Sequence, residues 1–213
     1  MKDEWYGDKR DLVKWGVLLH LAAKFKASQI LQVPYYRPSE WCALEIDGQP
    51  HPLPEAVLKH FRAIGNIGKL KGKCRIRVVG TPFSDRRKYG EVVRRAIIAL
   101  RGSRSIVFLD PDTGLAPRNP DLKHVLDSEL SAVWKDMDPG DVLVFYQHQT
   151  NRNGEPWIDP KRQQFEAALG LPAGASKLAH APDLARDVVF FFCQKETQGT
   201  RPAHAMKARR RSQ

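Results

Sequence analysis

Cysteine is scarce in this chain of 213 residues: Cys42, Cys74 and Cys193 are far apart, odd in number and without a His or Cys at ligand spacing. That argues against a disulfide framework and against a zinc site built on paired thiols. Long apolar runs are missing too. None comes near the roughly 20 residues that a bilayer span requires, and the polar start Met1-Lys-Asp-Glu4 is not a signal peptide. No membrane contact and a cytoplasmic, reducing setting are therefore expected. No internal repeat is present. The chain is also short of acid, with 24 Asp and Glu against 35 Lys and Arg and a formal charge of +11. Five of these cations, Arg201, Lys207, Arg209, Arg210 and Arg211, fall in residues 199–213 without a single acid, so eleven less five leaves +6 on the rest. Such a balance favours an anionic partner, most simply nucleic acid. A hydrophobic content of 42% is enough for one large domain without covalent staples.

Two stretches stand out. Ser105-Ile-Val-Phe-Leu109 has little alternation, as a strand buried on both faces of an α/β sheet would. Asp110-Pro-Asp112 follows at once, and Thr113-Gly114 turns the chain. The acids then lie where the strand leaves the sheet, the edge at which open parallel sheets bind ligands. Asp141-Val-Leu-Val-Phe-Tyr146 is the second such strand and delivers Gln147 and His148. If the two strands are parallel, these residues share a rim with Asp110 and Asp112.

The other elements alternate. A helix from Lys9 to about Lys26 repeats Leu12, Trp15, Leu19 and Ala22 at helical spacing. Asp8 is its candidate cap, and Asp11 with Lys14 reads as a surface ion pair. Ile30 to Val33 is a short strand, after which Tyr35, Tyr36, Arg37, Glu40 and Trp41 crowd together. Such aromatics can stack on a base or lid a core. Ala43 to Ile46 with Asp47-Gly48 suggests a hairpin, Pro54-Glu55 starts a helix to about Ile64, and Gly65 to Lys73 reads as a flexible basic link. Arg75 to Val79 is a strand. The helix from Arg86 to Leu100 carries Arg86, Arg87, Arg94 and Arg95 on its outward side, either a solvated face or one that tracks a phosphate backbone. Leu122 to Trp134 and Lys161 to Leu169 are further helices, and residues 176–181 and 188–193 a closing strand pair. This order predicts a Rossmann-like, doubly wound, mostly parallel sheet with a C-terminal antiparallel pair. It forms a single domain over 1–195, with a small insertion at about 35–73 and a disordered basic tail at 196–213.

Gly7-Asp-Lys-Arg-Asp11-Leu-Val-Lys14-Trp-Gly-Val17-Leu18 resembles the N-terminal helix of the 23S rRNA adenine-N6 methyltransferase family, where Gly-Asn-x-Ala-Asp-x-x-Lys-His precedes Val-Leu. Ile106 to Asp112 is similar to that family's strand and Asp-Pro-Pro-Tyr motif, and Val142 to Arg152, Tyr146 included, to its next strand. The resemblance implies S-adenosylmethionine as cofactor, Asp110 as acceptor for a target amine, Tyr146 or Tyr36 as the stacking surface, and Asp11 with Lys14 shaping the pocket. The chain departs from the pattern in three places, one being that no acid directly follows Val79 to hold a ribose. Leu31 to Tyr36 contains no glycine, and Asp112-Thr113 stands where the family has Pro-Tyr.

Three readings follow. The first is a divergent methyltransferase-like enzyme acting on nucleic acid, with Asp110, Asp112, Tyr146 and His148 at the reacting centre. The second is a nuclease or phosphohydrolase in which Asp110 and Asp112, helped by Gln147 or His148, hold Mg²⁺ or Mn²⁺ as hard oxygen ligands and Arg86 to Arg95 hold phosphate. The third is a non-catalytic nucleic-acid-binding module.

Overall fold

The computed structural model describes residues 9–38, 43–61, 63–70, 72–149, 151 and 154–196. Asp8, Glu40, Trp41, Cys42, Arg152 and the basic segment from 197 onward lie outside them.

In chain order the elements are α1 (Lys9–Phe25), β1 (Gln29–Val33), the hairpin β2 (Ala43–Ile46) and β3 (Gln49–Pro52), α2 (Glu55–Phe61), a 3-10 turn (Ile64–Lys69), and β4 (Arg75–Val78). There follow α3 (Arg86–Ile98), β5 (Ser105–Leu109), β6 (Gly114–Leu115), β7 (His124–Val125), α4 (Asp127–Asp136), β8 (Val142–His148), α5 (Ile158–Leu169), β9 (Lys177–Ala179), α6 (Pro182–Ala185) and β10 (Val188–Gln194). Six strands form one sheet in the order β4-β1-β5-β8-β10-β9. The first four run parallel, and β10 is antiparallel to both its neighbours. This is the expected Rossmann-like architecture with its reversed closing pair.

The sheet is covered on both faces, which is why β5 and β8 read as continuous apolar runs. Val107, Leu109, Leu143, Phe145, Val189 and Phe191 pack with residues of α3, α4 and α5. Their alternates Ile106, Phe108, Val142, Val144, Phe190 and Phe192 pack with α1. Each face thus takes every second side chain.

Two boundaries differ from expectation. Leu122 to Leu126 is not helical: Thr113 N donates to Lys123 O and Ala116 N to Val125 O, so this chain pairs with the turn after β5 and α4 starts only at Asp127. The expected helix from Glu55 ends at Phe61 rather than about Ile64, and a 3-10 turn, Ile64–Lys69, with Ile64 buried, takes up the first part of the expected link from Gly65 to Lys73. Among the described residues Cys74 and Cys193 are free and buried, and burial pushes the Cys193 thiol up to about 12, as for an inert core residue. No described helix is long and apolar enough to cross a membrane.

Candidate functional site

Strand alternation decides which side chains meet. Asp110 continues the Ile106 and Phe108 face of β5, Gln32 follows Ile30 on β1, and Tyr146 follows Val144 on β8. All three sit at the carboxyl ends of adjacent strands, facing α1. Lys14 Nζ lies 2.6 Å from Asp11 Oδ1 and 2.9 Å from Asp110 Oδ2, and 5.6 Å from the centre of the Tyr146 ring. Gln32 Nε2 donates to the same Asp110 oxygen at 2.7 Å. Asp110 is 1% exposed, Lys14 4% and Asp11 6%. The expected surface ion pair of Asp11 and Lys14 is therefore a buried one, because the N-terminal half of α1 is pressed onto the sheet edge. Burial by itself would pull the Lys14 amine down, but Asp110 and Asp11 outweigh it and raise the amine above its ordinary 10.5. Lys14 is an ammonium at every working pH.

Asp112 stands apart from this cluster. Its carboxylate pairs with the Arg37 guanidinium, both side chains being partly buried. Each acid of Asp110-Pro-Asp112 thus has its own organic cation, an ammonium for one and a guanidinium for the other. A divalent ion shared by the two would have to displace both. Among the described residues no group of three or more His, Cys, Asp and Glu side chains is arranged to hold a metal. The Mg²⁺ or Mn²⁺ expectation therefore finds no ready ligand set.

Gln147 and His148 leave β8 in opposite directions. Gln147 is fully buried and braces the loop that follows the acids: its Oε1 accepts from Leu115 N at 2.9 Å, and its Nε2 donates to His148 O at 2.8 Å and Thr113 O at 3.3 Å. Gly114 has φ of +134°, and a Cβ there would come within 2.4 Å of the Gln147 amide, so only glycine fits. His148 turns towards α1 and α6. Its Nε2 is 3.1 Å from Asp187 Oδ2 and its Nδ1 2.8 Å from Gln149 O, while Arg10 donates to the same Asp187 oxygen. His148 lies against the loop after β5, its backbone N–H donating to Thr113 O at 2.8 Å, and its imidazole also ties β8 to the start of β10. Burial would raise the Asp187 carboxyl, but the Arg10 hydrogen bond and the nearby Arg10 and His148 charges hold it below the usual carboxylate value.

The turn after β1 has no glycine, yet the chain bends there through Tyr35, whose φ is +46°. A left-handed tyrosine costs about 1–3 kcal/mol. It is held by burial: its ring packs 5.1 Å from that of Phe83 and 5.3 Å from that of Tyr89, and its N–H donates to Tyr89 Oη at 3.0 Å. Burial raises both phenols well above the usual tyrosine value, so they stay neutral. Tyr36, which follows Tyr35, is only partly buried. Tyr146 is 6% exposed and packs edge-on against Phe190 at 5.8 Å, so it is less able than Tyr36 to stack on a ligand.

Of the four arginines of α3, Arg87, Arg94 and Arg95 are exposed as expected and only Arg86 departs. Arg86 does not point outward: it donates to both carboxylate oxygens of Glu129 at 2.9 Å, to Asp121 O at 2.7 Å and to His124 O at 3.2 Å. It locks α3 to α4. Arg87 is 3.1 Å from Glu91 and Arg94 3.5 Å from Asp136, while Arg95 donates to Glu91 O at 3.3 Å. Three of the four α3 arginines thus have an acidic partner, and Arg95 has only a carbonyl. Pairing with residues 4 to 43 positions away could be read from sequence only where the acid lay one turn along, as Glu91 does.

No family model matches the sequence, and no curated protein is similar enough in sequence to match it. Two solved structures are similar to the chain as a whole. One, from Thermobifida fusca, is described only provisionally as a methyltransferase; it is 15% identical, with 89% of this chain and 80% of that one covered and a TM-score of 0.39. The other, a DUF574 family protein from Streptomyces avermitilis, is 10% identical over 88% of this chain and 82% of its own, again with a TM-score of 0.39. At these values the likeness goes no further than α/β layering.

Proposed function

We propose that the chain is a divergent S-adenosylmethionine-dependent methyltransferase whose acceptor is an amino group of a nucleic-acid base. One observation carries this reading. The two segments of the family resemblance, Asp11 to Lys14 and Ile106 to Asp112, lie about a hundred residues apart in sequence, and Lys14 is 2.9 Å from Asp110 at the carboxyl edge of the sheet. A chance likeness in two unconnected stretches has no reason to bring its marked residues into contact.

The bend at Tyr35 fits the cofactor, since it provides without glycine a turn that keeps the side chain out of the space beyond β1. No acid directly follows β4 to hold a ribose. Asp11, Lys14 and Tyr36 are the residues assigned to the pocket. When bound, S-adenosylmethionine would supply an electrophilic methyl group on a sulfonium. For the amine, Asp110 is the proposed acceptor, through Oδ1, because Lys14 and Gln32 both engage Oδ2. A hydrogen bond there aims the nitrogen lone pair at the methyl carbon, and Tyr36 stacks on the base. Asp112 and His148 have positioning roles, through Arg37 and Asp187.

The test is calorimetric titration with S-adenosylmethionine, followed by transfer of labelled methyl to bulk RNA. Saturable heat is expected from both the wild type and Asp110→Asn, with methyl incorporation lost only in the variant. Absence of heat at millimolar ligand would remove the reading.

A further inference from the structure

The edge of the sheet opposite the candidate site carries a row of exposed cations without acidic partners among the described residues. Here α1 ends, β1, β4, β5, β8 and β9 begin, and β10 finishes. Ser28 N donates to Arg104 O and Arg75 N to Ser28 O, which brings the turns before β1, β4 and β5 into one row. Lys24, Lys26, Lys73, Arg75 and Arg104 are exposed along that row. None of the five has an acidic partner among the described residues, in contrast to Arg86, Arg87 and Arg94 on α3. The row continues across the sheet through Arg101, 3.7 Å from Asp138, to Lys177 at the start of β9, while the Lys195 ammonium is taken up by the carbonyls of Trp134, Lys135 and Met137 at the end of α4. An open hollow of about 340 Å³ lies in it, lined by Arg104, Gly140, Gln194, Lys195 and Glu196. Lys195 N donates to Asp141 O, which holds the end of β10 at this edge.

We infer that this N-terminal sheet edge is a nucleic-acid contact surface that grips the phosphate backbone without reading sequence. Six strands about 4.8 Å apart give an edge of about 24 Å, the length of roughly seven base pairs at 3.4 Å each. Flexible amines and guanidinia projecting from turns suit a line of phosphates. An anionic bilayer is disfavoured, because a membrane-surface site is normally an amphipathic helix with a buried apolar face, and this edge is built of turns and strand ends. The inference is independent of methyl transfer. It relocates the polyanion contact from α3 to the opposite end of the strands from Asp110, where it would hold a long substrate while another part of the polymer reaches the site.

The experiment is fluorescence anisotropy of the full chain with a labelled 20-base-pair duplex across a salt series. The edge variant is Lys26→Gln/Lys73→Gln/Arg75→Gln, whose side chains make no hydrogen bond among the described residues; the control is Arg87→Gln/Arg94→Gln. Three lost phosphate contacts should flatten the slope of log affinity against log salt by about 2.7 and weaken binding at least tenfold at low salt, with the control unchanged. Circular dichroism and the heat of S-adenosylmethionine binding report whether the variant is folded and whether the methyl-transfer reading stands separately. An unchanged slope in the folded edge variant, an equal loss in the control, or binding of the wild type to phosphatidylserine vesicles but not to the duplex would each overturn the inference.

Discussion

Gly114→Ala should be among the most damaging single-methyl additions in the protein. Its φ of +134° lies in a region closed to side chains, and the new Cβ would sit 2.4 Å from the Gln147 amide, which is buried on β8 and cannot swing into solvent. Backbone strain of this kind costs about 1–3 kcal/mol. Making room also breaks some of the three hydrogen bonds by which Gln147 holds Leu115 N, Thr113 O and His148 O, each worth about 0.5–1.5 kcal/mol. A total loss of about 3–5 kcal/mol follows, and at about 2–4 °C per kcal/mol for a domain of this size the melting temperature should fall by roughly 6–20 °C. Urea and thermal unfolding measure it directly. The double variant Gly114→Ala/Gln147→Ala supplies the check on mechanism, because removing the obstructing amide should make the two changes less costly together than summed. A Gly114→Ala protein within about 0.5 kcal/mol of wild type would show that the loop carrying Asp110 and Asp112 is not braced in this way.

Lys14→Met leaves Asp11 and Asp110 without the ammonium they share and should destabilise by about 3–5 kcal/mol at neutral pH. The Lys14 amine is raised in the fold, so its contribution is fully present below the ordinary 10.5 and fades as pH climbs through the higher folded value; the gap between wild type and variant in denaturant melts should narrow only at strongly alkaline pH. Asp187 behaves oppositely. Its carboxyl is held below the ordinary 3.8, so the stability it adds is present above that value and disappears as pH drops through the folded value; the difference from Asp187→Asn should vanish in acid melts. Arg86→Lys keeps the charge but not the fork that meets both Glu129 oxygens and two carbonyls, and should cost about 1–3 kcal/mol by thermal unfolding.

Local pattern was enough to identify the central strand, the acids at its end and the alternation of strands with helices, because a strand sealed on both faces must be apolar throughout and Asp-Pro-Asp-Thr-Gly can only leave it. The same apolar continuity conceals which side chains share a face, since nothing in Ile106 to Leu109 marks one side from the other. Only the assembled sheet assigned Asp110, Gln32 and Tyr146 to the side of α1, and sent Gln147 the other way to brace Gly114. Asp11 and Lys14 have the spacing of any surface ion pair, and what makes them interior is that α1 lies against the ends of β1, β5 and β8. Charge was misleading for a related reason. Composition establishes that cations exceed acids, but whether an arginine faces solvent or a glutamate from another helix depends on packing, which is why three of the four α3 arginines turned out paired and the row without acidic partners lay at the other end of the strands.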